Sequence, residues 1–180
     1  MPHITLNSSE PGIRGLLRYR PDTAGPLSDL AETLLRGPST LTTGERELIG
    51  AYVSELNDCE YCSGSHGACA AALLPDGMTV VEQVRAEAAT APVSAKLKAL
   101  LAIASAVRQS GRDVTAELVA DARTAGATDL EIHDTVLIAA LFCMFNRYVD
   151  GLATVAPEDP AAYAAGAQRL IVEGYRQDAS

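Results

Sequence analysis

Apolar positions in this chain recur at helical spacing, and no stretch of four or more residues alternates, so the pattern predicts helices and no sheet. A first helix reads over 27–36, stopped by Gly37-Pro38. Leu48, Ile49, Tyr52, Val53 and Leu56 form the buried stripe of the next one. Thr42 and Glu45 open it as a capping box, a hydroxyl and a carboxylate three residues on that satisfy each other's backbone donors. Asn57-Asp58 breaks that helix, and Asp58 reads as the N-cap of a helix over 59–74 that Pro75-Asp76-Gly77 ends. Two more capping boxes read at Thr79/Glu82 and Thr128/Glu131, with helices over 94–109 and 114–124 between them. The segment 130–149 reads as the most buried helix, and 161–175 closes the chain. Residues 1–26, with Pro2, Pro11, Pro21 and Pro26, read as an irregular arm across the domain or against a neighbouring subunit. The expected fold is all-α, with a single helical domain over 27–180.

Composition sharpens this picture in three ways. A chain of 180 residues that is 48% hydrophobic can bury a sizeable core, and its mean hydropathy of +0.09 is that of a globular protein. Aromatic residues are only 4%, with no Trp, so small unbranched side chains must pack the helices closely. The net charge of -9 excludes nucleic acid and anionic membrane surfaces as partners. No basic-then-apolar leader is visible, and the longest apolar run, 136–145, is about half a bilayer span. The expected location is therefore cytoplasmic, where four cysteines begin as thiols.

Chemistry concentrates in twenty consecutive residues. Cys59 and Cys62 are spaced one helical turn apart on one face, within disulfide reach. His66 follows four residues later on that face. Glu47 belongs to the preceding helix and meets His66 or Cys62 if the two helices pack as an antiparallel pair. A dithiol can cycle between thiols and a disulfide while an imidazole moves the proton, so these groups together point to a redox enzyme. Geometry alone leaves the order of the thiols open. The helix N-terminus favours an anion at Cys59, whereas proximity to His66 favours Cys62.

The set Glu47, Cys59, Cys62, His66 resembles the motif of the alkylhydroperoxidase D / carboxymuconolactone decarboxylase family, in its cysteine-containing, peroxidase-related branch. The match is specific over 41–74, and the helical layout extends it more loosely over 27–150. The resemblance implies an alkylhydroperoxidase D-like helical bundle, a homo-oligomer, and reduction of a small or organic hydroperoxide. It further implies Cys62 as the attacking thiol, Cys59 as the resolving thiol, and Glu47 with His66 as a proton relay. An external dithiol or protein thiol would restore the enzyme, and no metal, flavin or nucleotide is called for. Tyr61 departs from the pattern, since well-known members place a relay histidine between the cysteines. The segment 145–151 also resembles the peroxidase-related members, with Asn146 and Asp150 on one helical face as candidate pocket residues together with Tyr61.

Blander readings compete with each of these. Cys59, Cys62 and His66 supply three zinc ligands where a structural site needs four, with only the distant His3 and His133 to complete it. Ser63 after Cys62 excludes the covalent haem motif. Cys69 and Cys143 read as core, His133 as exposed, Glu45 as a capping residue, Glu55 as solvated, and the arginines of 14–20 as a salt-bridge patch. The alternative functions are a disulfide oxidoreductase, a redox-sensing oligomeric module without turnover, and a lactone decarboxylase, against which the retained dithiol argues.

Overall fold

The computed structural model describes residues 1–176, and these residues form helices with no strand among them. In chain order they are α1 (Gly12–Tyr19), α2 (Pro21–Arg36), α3 (Thr43–Leu56), α4 (Glu60–Leu73), α5 (Gly77–Glu87), α6 (Ala95–Gln109), α7 (Ala116–Thr124), α8 (Asp129–Gly151) and α9 (Pro160–Glu173). A short 3₁₀ turn, Gly111–Asp113, links α6 to α7.

The expected capping boxes at α3 and α8 are both formed. Glu45 Oε2 accepts from the Thr42 backbone N–H at 2.8 Å, and Thr42 Oγ1 accepts from Glu45 N–H at 3.2 Å. Thr128 and Glu131 repeat the arrangement at 2.7 and 3.2 Å. The third expected box is absent: α5 opens at Gly77, two residues before Thr79, so Thr79 and Glu82 lie inside the helix.

The core is built on α8. Its buried positions Ile132, Thr135, Ile138, Phe142, Phe145 and Val149 recur every three or four residues, the stripe of an inward helix face. Ile132, Ile138, Phe142 and Phe145 share one core cluster with Leu48, Ile49 and Val53 of α3 and Leu100, Leu101 and Ile103 of α6. α8 is long and apolar enough to cross a bilayer, but half of that stretch is buried within the fold, as befits a core helix. Helices α3 and α4 form an antiparallel hairpin, with the start of α3 against the end of α4 at Gly44 and Leu73. α5 and α9 cover the outer sides of α4. They fill the room left by its glycines, since a Cβ on Gly64 would stand 2.8 Å from the Tyr163 ring and one on Gly67 2.4 Å from Arg85.

The N-terminal arm differs from its expectation. Only residues 1–11 and Arg20 are irregular, while 12–19 and 21–36 are helical. Pro21 stands at the first helical position, where its missing N–H costs nothing. Pro26 lies inside α2, and burial of Ala31, Leu34 and Leu35 in the core outweighs the lost backbone bond. The arm does cross the domain: His3 N–H donates to Leu152 C=O and Gly12 N–H to Val155 C=O, both at 3.0 Å. Gly12 adopts φ +56° with the Tyr61 ring where a Cβ would be, so the arm closes over the start of α4.

At Gly50 α3 crosses α8 closely, because an added Cβ would stand 2.4 Å from the Phe142 ring. Gly50→Ala is expected to cost about 1–3 kcal/mol through overpacking, read as a lower midpoint of denaturant unfolding. Gly25→Ala, with nothing within 4 Å of the added atom, serves as the control and is expected not to lower it.

Candidate active site

The α3–α4 hairpin brings Glu47 and His66 together. Glu47 is fully buried, and its Oε2 lies 2.7 Å from His66 Nδ1. Its other oxygen, Oε1, accepts from Tyr175 OH at 2.6 Å and from the Arg36 guanidinium at 2.5 Å. Burial would raise the Glu47 pKa, but the charge and hydrogen bond of His66, with Arg36 and Tyr175 behind them, outweigh it and hold the carboxyl below its ordinary value. An ionised carboxylate can only accept, so His66 Nδ1 is the donor of this hydrogen bond and Nε2 is the ring nitrogen outside it.

The imidazole is also fixed in plane. Phe142 meets it edge-on at 4.5 Å between centroids, and Tyr175 stacks parallel at 6.0 Å, with the Arg36 guanidinium over the Tyr175 ring at 4.9 Å. The Tyr175 phenol is pushed well up, by burial first and then by Glu47, so it remains a donor to the carboxylate. Arg36 comes from the end of α2, and Tyr175 from the segment after α9, where its N–H is anchored to Glu32 Oε2 at 2.7 Å. Neither was foreseeable from local sequence, since each lies far along the chain from Glu47. Arg36 stands at a helix end and Tyr175 in a terminal segment, places where no motif calls for them.

The dithiol sits at the start of α4, one position differently from the expectation. Asp58 takes φ +56° in the turn and does not cap the helix. Cys59 is the N-cap, which puts Cys62 in the first turn. Both sulfurs are buried and unbonded. Cys62 is held well above the usual thiol range, first by its hydrogen bond with Cys59, then by burial, with Asn146 pulling the other way. The first-turn position therefore does not make a resting thiolate of Cys62.

Cys62 and His66 open onto one cavity of about 200 Å³, lined also by Tyr61, Tyr163 and Tyr175. Of the candidate pocket residues, Tyr61 lines it, whereas Asn146 and Asp150 do not. Asn146 is buried behind Cys62, donating to Ser54 Oγ at 3.0 Å and accepting from Asn57 at 2.8 Å, and Asp150 is exposed. Glu55, read as solvated, is half-exposed but tied to the outer side of α4, accepting from Ser63 at 2.6 Å beside Arg85. Cys69 is fully buried, as expected, yet faces Arg36 and Glu47, and burial pushes its thiol up. His133 is exposed. Among the described residues no three His, Cys, Asp or Glu side chains converge as a metal-binding group.

The helical arrangement has close counterparts among solved structures. One, described as an alkylhydroperoxidase AhpD core and uncharacterized peroxidase-related protein from Ralstonia eutropha JMP134, superposes with a TM-score of 0.77 at 26% identity, over 87% of this chain and 81% of that one. This chain has the alkylhydroperoxidase D-like fold. An uncharacterized peroxidase-related protein from Silicibacter sp. TM1040 shares that fold, with a TM-score of 0.77 at 23% identity over 92% of this chain and 81% of its own. No protein-family model and no curated protein matches the chain. The single all-helical domain expected from the sequence is thus the alkylhydroperoxidase D-like bundle.

The Glu47 cage makes stability pH-dependent. Because folding lowers this carboxyl's pKa below the ordinary value near 4.5, its contribution is full above that value and is lost as the pH falls through the folded-state pKa. Glu47→Gln leaves the partly buried Arg36 without its carboxylate and is expected to cost about 3–5 kcal/mol at neutral pH. Urea unfolding across the acid range checks both statements, since the gap between wild type and variant should close on acidification.

Proposed function

We propose that this protein is a thiol-dependent hydroperoxidase of the cysteine-containing, peroxidase-related type, in which Cys62 attacks, Cys59 resolves, and His66 with Glu47 moves the proton. The observation that carries the reading is the shared cavity: the Cys62 thiol and the imidazole oriented by a buried carboxylate face the same enclosed space. The peroxidase-related description of the Ralstonia protein supports it.

The chemistry follows from the protonation states. At rest Cys62 is a thiol hydrogen-bonded with Cys59, so its proton must leave as a hydroperoxide binds. His66 Nε2 takes that proton, and the imidazolium is stabilised by the Glu47 carboxylate on Nδ1. The Cys62 sulfur attacks the distal peroxide oxygen, the O–O bond breaks, and His66 returns the proton to the departing alkoxide, giving an alcohol. Cys62 is then a sulfenic acid. Cys59 condenses with it, releasing water and forming the disulfide. An external dithiol reduces that disulfide by exchange and leaves as the oxidised species. Tyr61 adds no second relay base between the thiols, so His66 carries proton transfer alone. The partners of this reaction are a small or organic hydroperoxide, a dithiol or protein thiol, and further copies of the chain in a cytoplasmic homo-oligomer.

A second reading is favoured by one observation. Both sulfurs are buried and the Cys62 thiol is held protonated, which suits a slow dithiol that senses or transfers disulfides without peroxide turnover.

Steady-state hydroperoxide consumption with dithiothreitol as reductant separates the two. Turnover is expected in the wild type, to fall at least about a hundredfold in Cys62→Ser and in His66→Gln, and to be lost in Cys59→Ser after one equivalent with a sulfenic acid left on Cys62. A wild type that forms a reducible disulfide yet consumes no hydroperoxide would favour the second reading.

A further inference from the structure

The cavity at Cys62 is apolar over most of its wall, with Leu17, Leu27, Leu35, Phe145 and Leu170 facing it, but its lining includes two arginines. Arg14 comes from α1 and Arg169 from α9, so the fold brings two cations to one apolar space from distant parts of the chain. Among the described residues neither is fully paired: Arg14 NH2 bonds Glu10 at 2.6 Å while its Nε is buried without a partner, and Arg169 reaches Glu173 only at 4.0 Å, too long for a hydrogen bond. Both arginines line the cavity together with Tyr61, whose phenol is raised by burial against a hydrogen bond with Ser65 and the arginine charges. In a chain of net charge -9 the overall field repels anions, and anion capture needs such local cations.

We propose that this cavity takes an organic acid whose apolar body carries the hydroperoxide, with the carboxylate held by Arg14 and Arg169 and the peroxide presented to Cys62. This rests on the hydroperoxidase reading and narrows it to a substrate class. The cavity of about 200 Å³ exceeds the ~150 Å³ that encloses a benzene, which suits a medium-chain or aryl acid. The unpartnered Arg14 Nε and the loosely paired Arg169 supply donors that a carboxylate accepts and that a neutral alkyl hydroperoxide leaves unsatisfied. The dithiol's two electrons cleave the O–O bond, one oxygen leaves as the hydroxyl of a hydroxy acid, and the other leaves as water when Cys59 closes the disulfide.

The test uses binding and does not depend on turnover. Octanoate and octan-1-ol, which share an apolar body, are titrated into the reduced full-length protein by calorimetry, and protection of Cys62 from iodoacetamide is mapped by mass spectrometry. Octanoate is expected to bind about tenfold tighter or more, as one charge-assisted hydrogen bond would give, and to protect Cys62. Arg14→Gln with Arg169→Gln should bind both probes alike. Equal binding of the two probes by the wild type, a preference that survives in the double variant, or binding without protection of Cys62 would each overturn the proposal. The wild-type comparison stands even if the variant fails to fold. Hydroperoxide turnover without carboxylate preference would remove this inference and leave the activity, whereas carboxylate preference without turnover would remove the activity and leave an acid-binding cavity.

Discussion

A single buried carboxylate organises this protein. Glu47 has no contact with solvent, and its two oxygens are met by side chains from α2, α4 and the segment after α9. An uncompensated charge at that depth would be untenable, so the fold around it must supply Arg36, His66 and Tyr175 together. The same contacts that stabilise the charge hold the imidazole: Glu47 accepts from His66 Nδ1, and Phe142 and Tyr175 fix the plane of the ring beside the cavity.

Around this centre the fold divides its labour. α8 and α6 supply a dry core against α3, which holds Glu47 rigidly in place. α4 carries the thiols and the imidazole on one face, and its small residues let α5 and α9 approach on the others. The N-terminal arm and α9 roof the cavity from opposite ends of the sequence, so the space in which a substrate would meet Cys62 is built from late and early chain alike. The alkylhydroperoxidase D-like fold is thereby the support for a candidate site whose carboxylate, thiols and imidazole all lie within one helical hairpin.

What could be read from the sequence was what local periodicity encodes. Helical spacing put Cys59, Cys62 and His66 on one face, and the capping box at Thr42 set the start of α3, which aligned Glu47 with His66 once the helices paired. The capping box at Thr79 failed because backbone at Gly77 starts the helix earlier than the Thr/Glu spacing suggests. Asp58 failed as a cap because the turn needs its residue at positive φ. The prolines of the arm misled for a different reason: burial of Leu16, Leu34 and Leu35 decides those segments, and no local rule reports it. Arg36, Tyr175, Arg14 and Arg169 join the site through tertiary packing alone. Asn146 shared the right face for the pocket but is consumed by Ser54 and Asn57.

The central claim is that Cys59 and Cys62 are the two ends of one peroxide-driven redox couple. The most direct measurement treats the reduced protein with a single equivalent of an organic hydroperoxide and maps every cysteine by mass spectrometry after alkylation. The account predicts one Cys59–Cys62 disulfide per peroxide consumed, with Cys69 and Cys143 remaining as alkylated thiols. Peroxide left unconsumed, or oxidation that falls on Cys69 or Cys143 while the pair stays reduced, would contradict it.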